Sequence, residues 1–223
     1  RNKRIYPNNT LASHVIGGTD VDGRGIAGIE KKFDNKLKKG ENLTLSIHSG
    51  VQHITRKLLL DQITKFEAEG GAGIVMDANN GQIYSIVSLP DYNANNYSTV
   101  LNKTLFNKAT KGIYELGSTL KLITAAIAFE SKLINENEVF DVSKPLKVSS
   151  RIITDFHPLN YSINIPEVIV HSSNIGSAKI AEKFGPNIQL KYLKSLGLTN
   201  MLSLEIPELG KPQVLMDKNI LTT

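Results

Sequence analysis

Residues 120–129 constrain this chain more than any other stretch. Leu120, Leu122, Ile123, Ala125, Ala126, Ile127, Ala128 and Phe129 crowd into them, behind a Gly117-Ser118 break. The composition favours a helix over residues 118–130, apolar on nearly every side. Such a helix is usually buried, so the fold must cover it from several directions. A hydrophobic content of 40% over 223 residues is enough to do so.

The polar residues at the head of that helix point to chemistry. Ser118 opens it and Lys121 follows three positions later, on the same face. A partly desolvated amine next to a hydroxyl can take its proton and make it a nucleophile. The helix-start N–H of Ser118 can help hold the oxyanion formed by attack. S-x-x-K alone is weak, since an N-capping serine and a solvated lysine give the same pattern. A second element, Ser172-x-Asn174, lies on an apolar turn flanked by helical sequence within residues 168–181. Ser172 could pass a proton between Lys121 and a leaving amine. Asn174 offers an amide donor and acceptor to a substrate peptide bond. Taken alone, this too reads as a helix cap and a turn asparagine.

Together and in this order, the two motifs resemble those of the penicillin-binding proteins, serine D,D-transpeptidases of bacterial cell walls. The flanking residues are more specific: Tyr114-Glu115-x-Gly117-Ser118-Thr119-x-Lys121, Phe106-Asn107-Lys108-Ala109-Thr110 and Asp91-Tyr92-Asn93-x-Asn95-Asn96. Residues 196–210, with Ile206-Pro207-Glu208-Leu209-Gly210, continue the likeness. So do Arg4-x-Tyr6-Pro7, residues 14–20 and Gly25-Ile26-Ala27-Gly28-Ile29-Glu30, which resemble the pedestal of monofunctional class B members. Within class B, residues 14–30 look most like the septal, cell-division member.

The resemblance implies an α+β fold: a serine β-lactamase-like transpeptidase domain, with helices packed on an antiparallel sheet. Residues 1–42 would end a non-catalytic pedestal or dimerisation domain, and residues 43–223 would begin the transpeptidase domain. Ser118 would attack the penultimate D-alanine carbonyl of a D-Ala-D-Ala stem peptide. Lys121 would take its proton, Ser172 would relay it to the leaving D-alanine, and Asn174 would orient the substrate amide. A second stem peptide would then deacylate the enzyme, and β-lactams would acylate the same serine. No metal or cofactor is implied. The implied partners are stem peptides, β-lactams, a glycosyltransferase and other division proteins. The implied location is the inner membrane, through an upstream anchor, with the catalytic part in the periplasm.

Three departures stand out. Leu116 replaces the family's usual proline, and His48 a common aspartate. No K-T-G or K-S-G triplet occurs, and Gly210-Lys211-Pro212 cannot replace it, because proline lacks the backbone donor. The expectation is a late strand lying beyond Thr223, with an exposed sheet edge and poor solubility in its absence. Two alternatives stay open: a non-catalytic remnant or scaffold module of the division machinery, and a β-lactamase or β-lactam sensor. The pedestal-like residues 1–42 weigh against the second.

Composition excludes other chemistry. Cysteine is absent, which rules out disulfides, thiolate metal sites and a cysteine nucleophile. The net charge of +5 is scattered apart from residues 1–4, 31–32 and 36–39, without aromatic interleaving, so solvated basic faces explain it better than nucleic acid does. The five histidines show no metal-ligand spacing. His171 adjoins Ser172, but neighbours on a helix point apart. Lys179 and Lys183 read as a solvated face. Gly23, Gly25 and Gly28 fit G-x-G-x-x-G spacing but read better as loop residues.

Along the chain, residues 1–42 show little periodicity. Residues 42–46 alternate like a short strand, and 51–66 have helical spacing. Two β-rich runs, 72–77 and 82–88, flank Asn80-Gly81, a strong hairpin signal. Residues 90–105 read as loop and 139–161 as irregular or short-stranded. Helices are expected over 166–171, 174–184 and 187–196, the second ended by Gly185-Pro186.

Overall fold

The computed structural model describes residues 4–135 and 137–213. Residues 1–3 and 214–223, including the polar run 219–223, lie outside them. The chain divides into two compact units. One takes residues up to Ile113 together with Met201–Lys211, and the other is built on Tyr114–Asn200.

The first unit begins with α1 (Ser13–Ile16), β1 (Gly18–Thr19), β2 (Gly25–Ala27), α2 (Gly28–Lys32) and α3 (Asp34–Lys38). Residues 4–42 therefore form more regular structure than their weak periodicity suggests. Their elements are too short to carry a period, and polar contacts hold them instead. Arg4 pairs with the buried Glu30 at 2.7 Å, and the Tyr92 hydroxyl donates to the Ser13 carbonyl at 2.9 Å. The positive φ of Gly17 (80°) is essential here, because a Cβ would strike the Ala27 carbonyl. Gly23 (φ 75°) sits in the turn between β1 and β2, and Gly25 lies in a strand, so these glycines shape a hairpin.

The long helix α4 (Ser49–Lys65) packs on an antiparallel hairpin of β3 (Gly71–Met76) and β4 (Ile83–Leu89), registered through Ile74↔Ile86. Gly81 turns the hairpin at φ 75°, as the Asn-Gly pair predicts. Gly71 and Gly73 let Leu59, Ile63 and Thr55 of α4 lie close against β3. Apolar spacing along α4 overstates its burial, since Ile54 and Leu58 remain exposed. His48 caps α4, its ring Nδ1 accepting from the Val51 N–H at 3.3 Å. Residues 42–46 are not a strand. Leu43, Leu45 and Ile47 pack on Val15, Ile29 and Ile86, so the alternation is real, but no ladder forms.

A 3₁₀ segment (Ala94–Thr99) and α5 (Asn102–Leu105) fill the stretch read as loop, and α6 (Lys108–Lys111) follows it. Residues 201–211 return to this unit. The Glu208 carboxylate accepts from the Gly28 N–H, Thr110 bonds the Glu208 carbonyl, and Ile206 joins the Val15–Ile29–Ile86 cluster.

The second unit holds α7 (Thr119–Ser131), β5 (Val139–Asp141), β6 (Leu146–Val148), β7 (Arg151–Ile153), β8 (Ser162–Asn164), α8 (Ile165–Val170) and α9 (Asn174–Ser195). Two antiparallel pairs form, β5 with β8 and β6 with β7. The core joins Ala125, Ile127 and Ala128 of α7 to Ile163, Val168, Ile180 and Ala181. Contrary to the expectation from its all-round apolar sequence, α7 is covered by the described residues on one side only: Leu122 and Phe129 are 57% and 46% exposed. A capping box of Asn164 and Glu167 starts α8. Gly185, at φ 73° and ψ 169°, breaks α9 at the Gly-Pro step, so the two expected helices are the two halves of one kinked element.

Gln52 is 2% exposed and bridges α4 to β4. Its Nε2 donates to the Ile86 carbonyl, while Oε1 accepts from the Ile86 N–H and the Ser85 hydroxyl. Gln52→Ala leaves three buried groups without partners. It is expected to destabilise this unit by about 2–4 kcal/mol, read as a lowered denaturation midpoint. A loss within experimental error would show that water replaces the amide.

Candidate active site

The site lies within the second unit and starts from a sharp turn. Gly117, at φ 56°, reverses the chain ahead of α7. Ser118 follows as the residue before the helix, and its side chain makes no capping bond. Its hydroxyl instead faces Lys121, one turn on. The Lys121 side chain is 5% exposed, and its Nζ reaches Ser118 Oγ at 3.2 Å, Ser172 Oγ at 3.0 Å and the Ser172 carbonyl at 2.6 Å. The Ser172 hydroxyl donates to Ser118 Oγ at 3.0 Å, closing a triangle of two hydroxyls and one amine.

Ser172 reaches this position through an uncommon backbone. Its φ is 52°, a left-handed conformation that costs a non-glycine residue about 1–2 kcal/mol. The Ser172 N–H donates to Ile169 and the Ser173 N–H to Val168, which hold the turn between α8 and α9. Gly176 lets the two helices close, since a Cβ there would meet Val168 at 2.4 Å. Ser173, not Ser172, is the N-cap of α9, accepting from the Gly176 N–H at 2.9 Å. The capping role that either serine could have filled thus falls to Ser173, and Ser172 is left for Lys121.

Burial holds the Lys121 amine below the ordinary lysine pKa, against an opposing pull from the Asp155 charge. Water is replaced around Nζ by fixed oxygens, which solvate the ammonium incompletely. Asn174 is half-buried, and its Nδ2 donates to the Thr154 carbonyl at 2.8 Å. One amide hydrogen and the Oδ1 lone pairs remain for a ligand.

The structure brings Ser118, Lys121 and Ser172 into mutual hydrogen-bond contact and sets Asn174 on the same turn as Ser172. Asp155 is a neighbour that sequence reasoning missed. Its carboxylate accepts from the Ser173 hydroxyl (2.7 Å), the Asn174 N–H (2.5 Å) and the Ile175 N–H (3.0 Å). It precedes the turn by 18–20 residues in an irregular segment, so no local pattern announces it. His171 ends α8 as its C-cap and is exposed. Lys179 and Lys183 are not simply solvated: they tie α9 to the Asp141 carbonyl and the Glu138 carboxylate, each at 2.6 Å. Among the described residues, no cluster of three or more His, Asp or Glu is placed to hold a metal. The first unit contains a groove of about 660 Å³ lined by apolar residues such as Phe33, Leu45, Ile83 and Ile206 and by polar ones such as Asn80 and Glu205, with none of these site residues in its walls.

Residues 71–215 match the model of the penicillin-binding protein transpeptidase domain. The chain belongs to the penicillin-binding protein transpeptidase family. It is 34% identical over 215 residues to the "Probable peptidoglycan D,D-transpeptidase FtsI" of Caulobacter vibrioides, covering 94% of this chain and 36% of that protein. It is 29% identical to the peptidoglycan D,D-transpeptidase FtsI of Escherichia coli, covering 80% of this chain and 34% of the relative. The D,D-transpeptidase domain of a peptidoglycan glycosyltransferase from Eggerthella lenta superposes with a TM-score of 0.82 at 28% identity, covering 96% of this chain and 51% of that one. The fold is thus the mixed helix-and-sheet transpeptidase fold implied by the motifs, and the class B resemblance stands. The chain spans about a third of the length of these curated relatives. Among the described residues, no helix is long and apolar enough to cross a membrane.

With isotope-labelled lysine, Lys121 is expected to titrate below an ordinary lysine in an NMR pH series. Asp155→Asn should lower its pKa further, because the charge that favours the protonated amine is gone. Titration at the ordinary lysine value would contradict the desolvated environment.

Proposed function

We propose that this chain carries the acyl-serine centre of a peptidoglycan D,D-transpeptidase that cross-links stem peptides during septal wall synthesis. The observation that carries the reading is the Ser118–Lys121–Ser172 triangle, with every side at 3.2 Å or less. In its neutral form the Lys121 amine accepts the Ser118 proton as Oγ attacks the D-alanyl carbonyl carbon. The carbonyl π electrons move to oxygen, and the Ser118 backbone N–H at the head of α7 donates to that oxyanion. When the intermediate collapses, the C–N bond breaks and its electron pair takes a proton from the Ser172 hydroxyl. Lys121 then reprotonates Ser172. Free D-alanine leaves and an ester remains on Ser118. The amine of a second stem peptide attacks that ester, its proton returning through Ser172 and Lys121 to Ser118 Oγ. Asn174 orients the donor peptide amide through its remaining N–H and Oδ1.

β-Lactams would acylate Ser118 by the same first step, since opening the ring breaks the equivalent C–N bond. Similarity to the peptidoglycan D,D-transpeptidase FtsI relatives supports stem peptides as substrates, and the motif resemblance implies the septal role, with a glycosyltransferase and division proteins as partners. It also supports an inner-membrane protein with this part in the periplasm. On the motif resemblance, residues 1–42 are assigned to the pedestal and residues 43–223 to the transpeptidase domain.

The test is intact-mass spectrometry of the full-length protein with a penicillin, followed by peptide mapping. One covalent adduct on Ser118 is expected, absent in Ser118→Ala. Lys121→Ala should slow acylation by roughly 10²–10⁴-fold, the usual worth of a positioned general base. An adduct elsewhere, or unchanged acylation in Lys121→Ala, would sink the assignment.

A further inference from the structure

Asp155 belongs to neither serine motif, yet three donors of the Ser173–Asn174–Ile175 turn converge on its carboxylate. Oδ2 takes the Ser173 hydroxyl proton, and Oδ1 takes the N–H groups of Asn174 and Ile175. Helix α9 already has a cap, because Ser173 Oγ accepts from the Gly176 N–H. A second, anionic acceptor from a distant segment does more than start a helix. It fixes Ser173 from both sides of its hydroxyl and pins the peptide plane on which Asn174 stands. The adjoining Thr154 carbonyl holds the Asn174 side chain at 2.8 Å. Residues 154 and 155 therefore grip both the backbone and the amide of Asn174.

Ser172 needs such a grip. At φ 52° it stays left-handed only because its surroundings over-determine it. Relaxing φ to a common value would swing both its hydroxyl and its carbonyl away from Lys121. The residue immediately C-terminal to it, Ser173, is 1% exposed and bound to Asp155.

We propose that Asp155 is a positioning residue, whose carboxylate locks the 172–175 turn so that Ser172 and Asn174 stand in working geometry opposite Lys121 and Ser118. The proposal deepens the acyl-transfer reading above and rests on it. Asp155 touches no reacting atom. It acts through the turn, and its negative charge also favours the proton on the buried Lys121 amine.

The experiment uses the full-length protein and a fluorescent penicillin, with rapid kinetics separating initial binding from the acylation step. Asp155→Ala should lower the acylation rate constant on the order of 10²-fold, the scale of an ångström-sized misplacement, in protein that is still folded. Asp155→Asn keeps one oxygen for the two N–H groups and should recover most of that loss. Adding Asp155→Ala to Asn174→Ala should cost only a few-fold more, because both act on one turn. Hydrogen exchange of the peptide spanning residues 172–178 should accelerate in Asp155→Ala without any ligand. Parent-like acylation in folded Asp155→Ala, fully additive losses in the double variant, or unchanged exchange of the turn would each overturn the proposal. A parent protein that takes no label on Ser118 would overturn the acyl-transfer reading instead, and the exchange comparison would still decide whether Asp155 holds the turn.

Discussion

The second unit is organised around one buried amine. Lys121 leaves water almost completely, and removing an ammonium from solvent costs several kcal/mol unless fixed groups replace the lost hydration. Two hydroxyls and one carbonyl do so here: Ser118 Oγ, Ser172 Oγ and the Ser172 oxygen. The replacement is incomplete, and that incompleteness holds the amine below the ordinary lysine pKa. The two hydroxyls that help solvate the amine are also groups with which it can exchange a proton. Desolvation and proton transfer are therefore two consequences of one arrangement.

That arrangement dictates the neighbouring backbone. Ser172 presents two of its oxygens to Lys121 from a left-handed backbone. The turn in turn requires helix α8 to end where it does and α9 to start immediately after, with Gly176 admitting Val168. The core of Ile127, Ala128, Ile180 and Ala181 then fixes α7 against α9, so that serines 54 residues apart meet at 3.0 Å. Packing on one side of α7 suffices for this. The exposure of Leu122 and Phe129 shows that a helix apolar all round need not be surrounded within the described residues.

Much of the fold was legible because local physics and tertiary context agreed. The Asn-Gly hairpin, the helix behind Ser118 and the Gly185-Pro186 break all formed as their residues predict. Residues 42–46 did not become a strand. Their alternation records a half-buried extended chain, and alternation carries no information about whether a hydrogen-bonding neighbour is present. The structure within residues 4–42 is not legible from periodicity, because elements of two to five residues are held by distant partners such as Arg4–Glu30, not by propensity. In the same way, Lys179 and Lys183 read as solvated because their partners, Asp141 and Glu138, lie far off in sequence.

By itself the sequence determined the family, the helices that carry Ser118 and the S-x-N turn, and the identity of the candidate nucleophile, base and relay. These are written in short spacings, where covalent connectivity alone brings residues onto one face. Tertiary structure alone decided that Ser118 does not cap its helix, that Ser173 takes the cap and frees Ser172, and that Asp155 grips the turn. Each of these is a choice between competing hydrogen-bond partners. The winner depends on which distant oxygen or N–H the folded chain delivers, and no local pattern of residues encodes that distance.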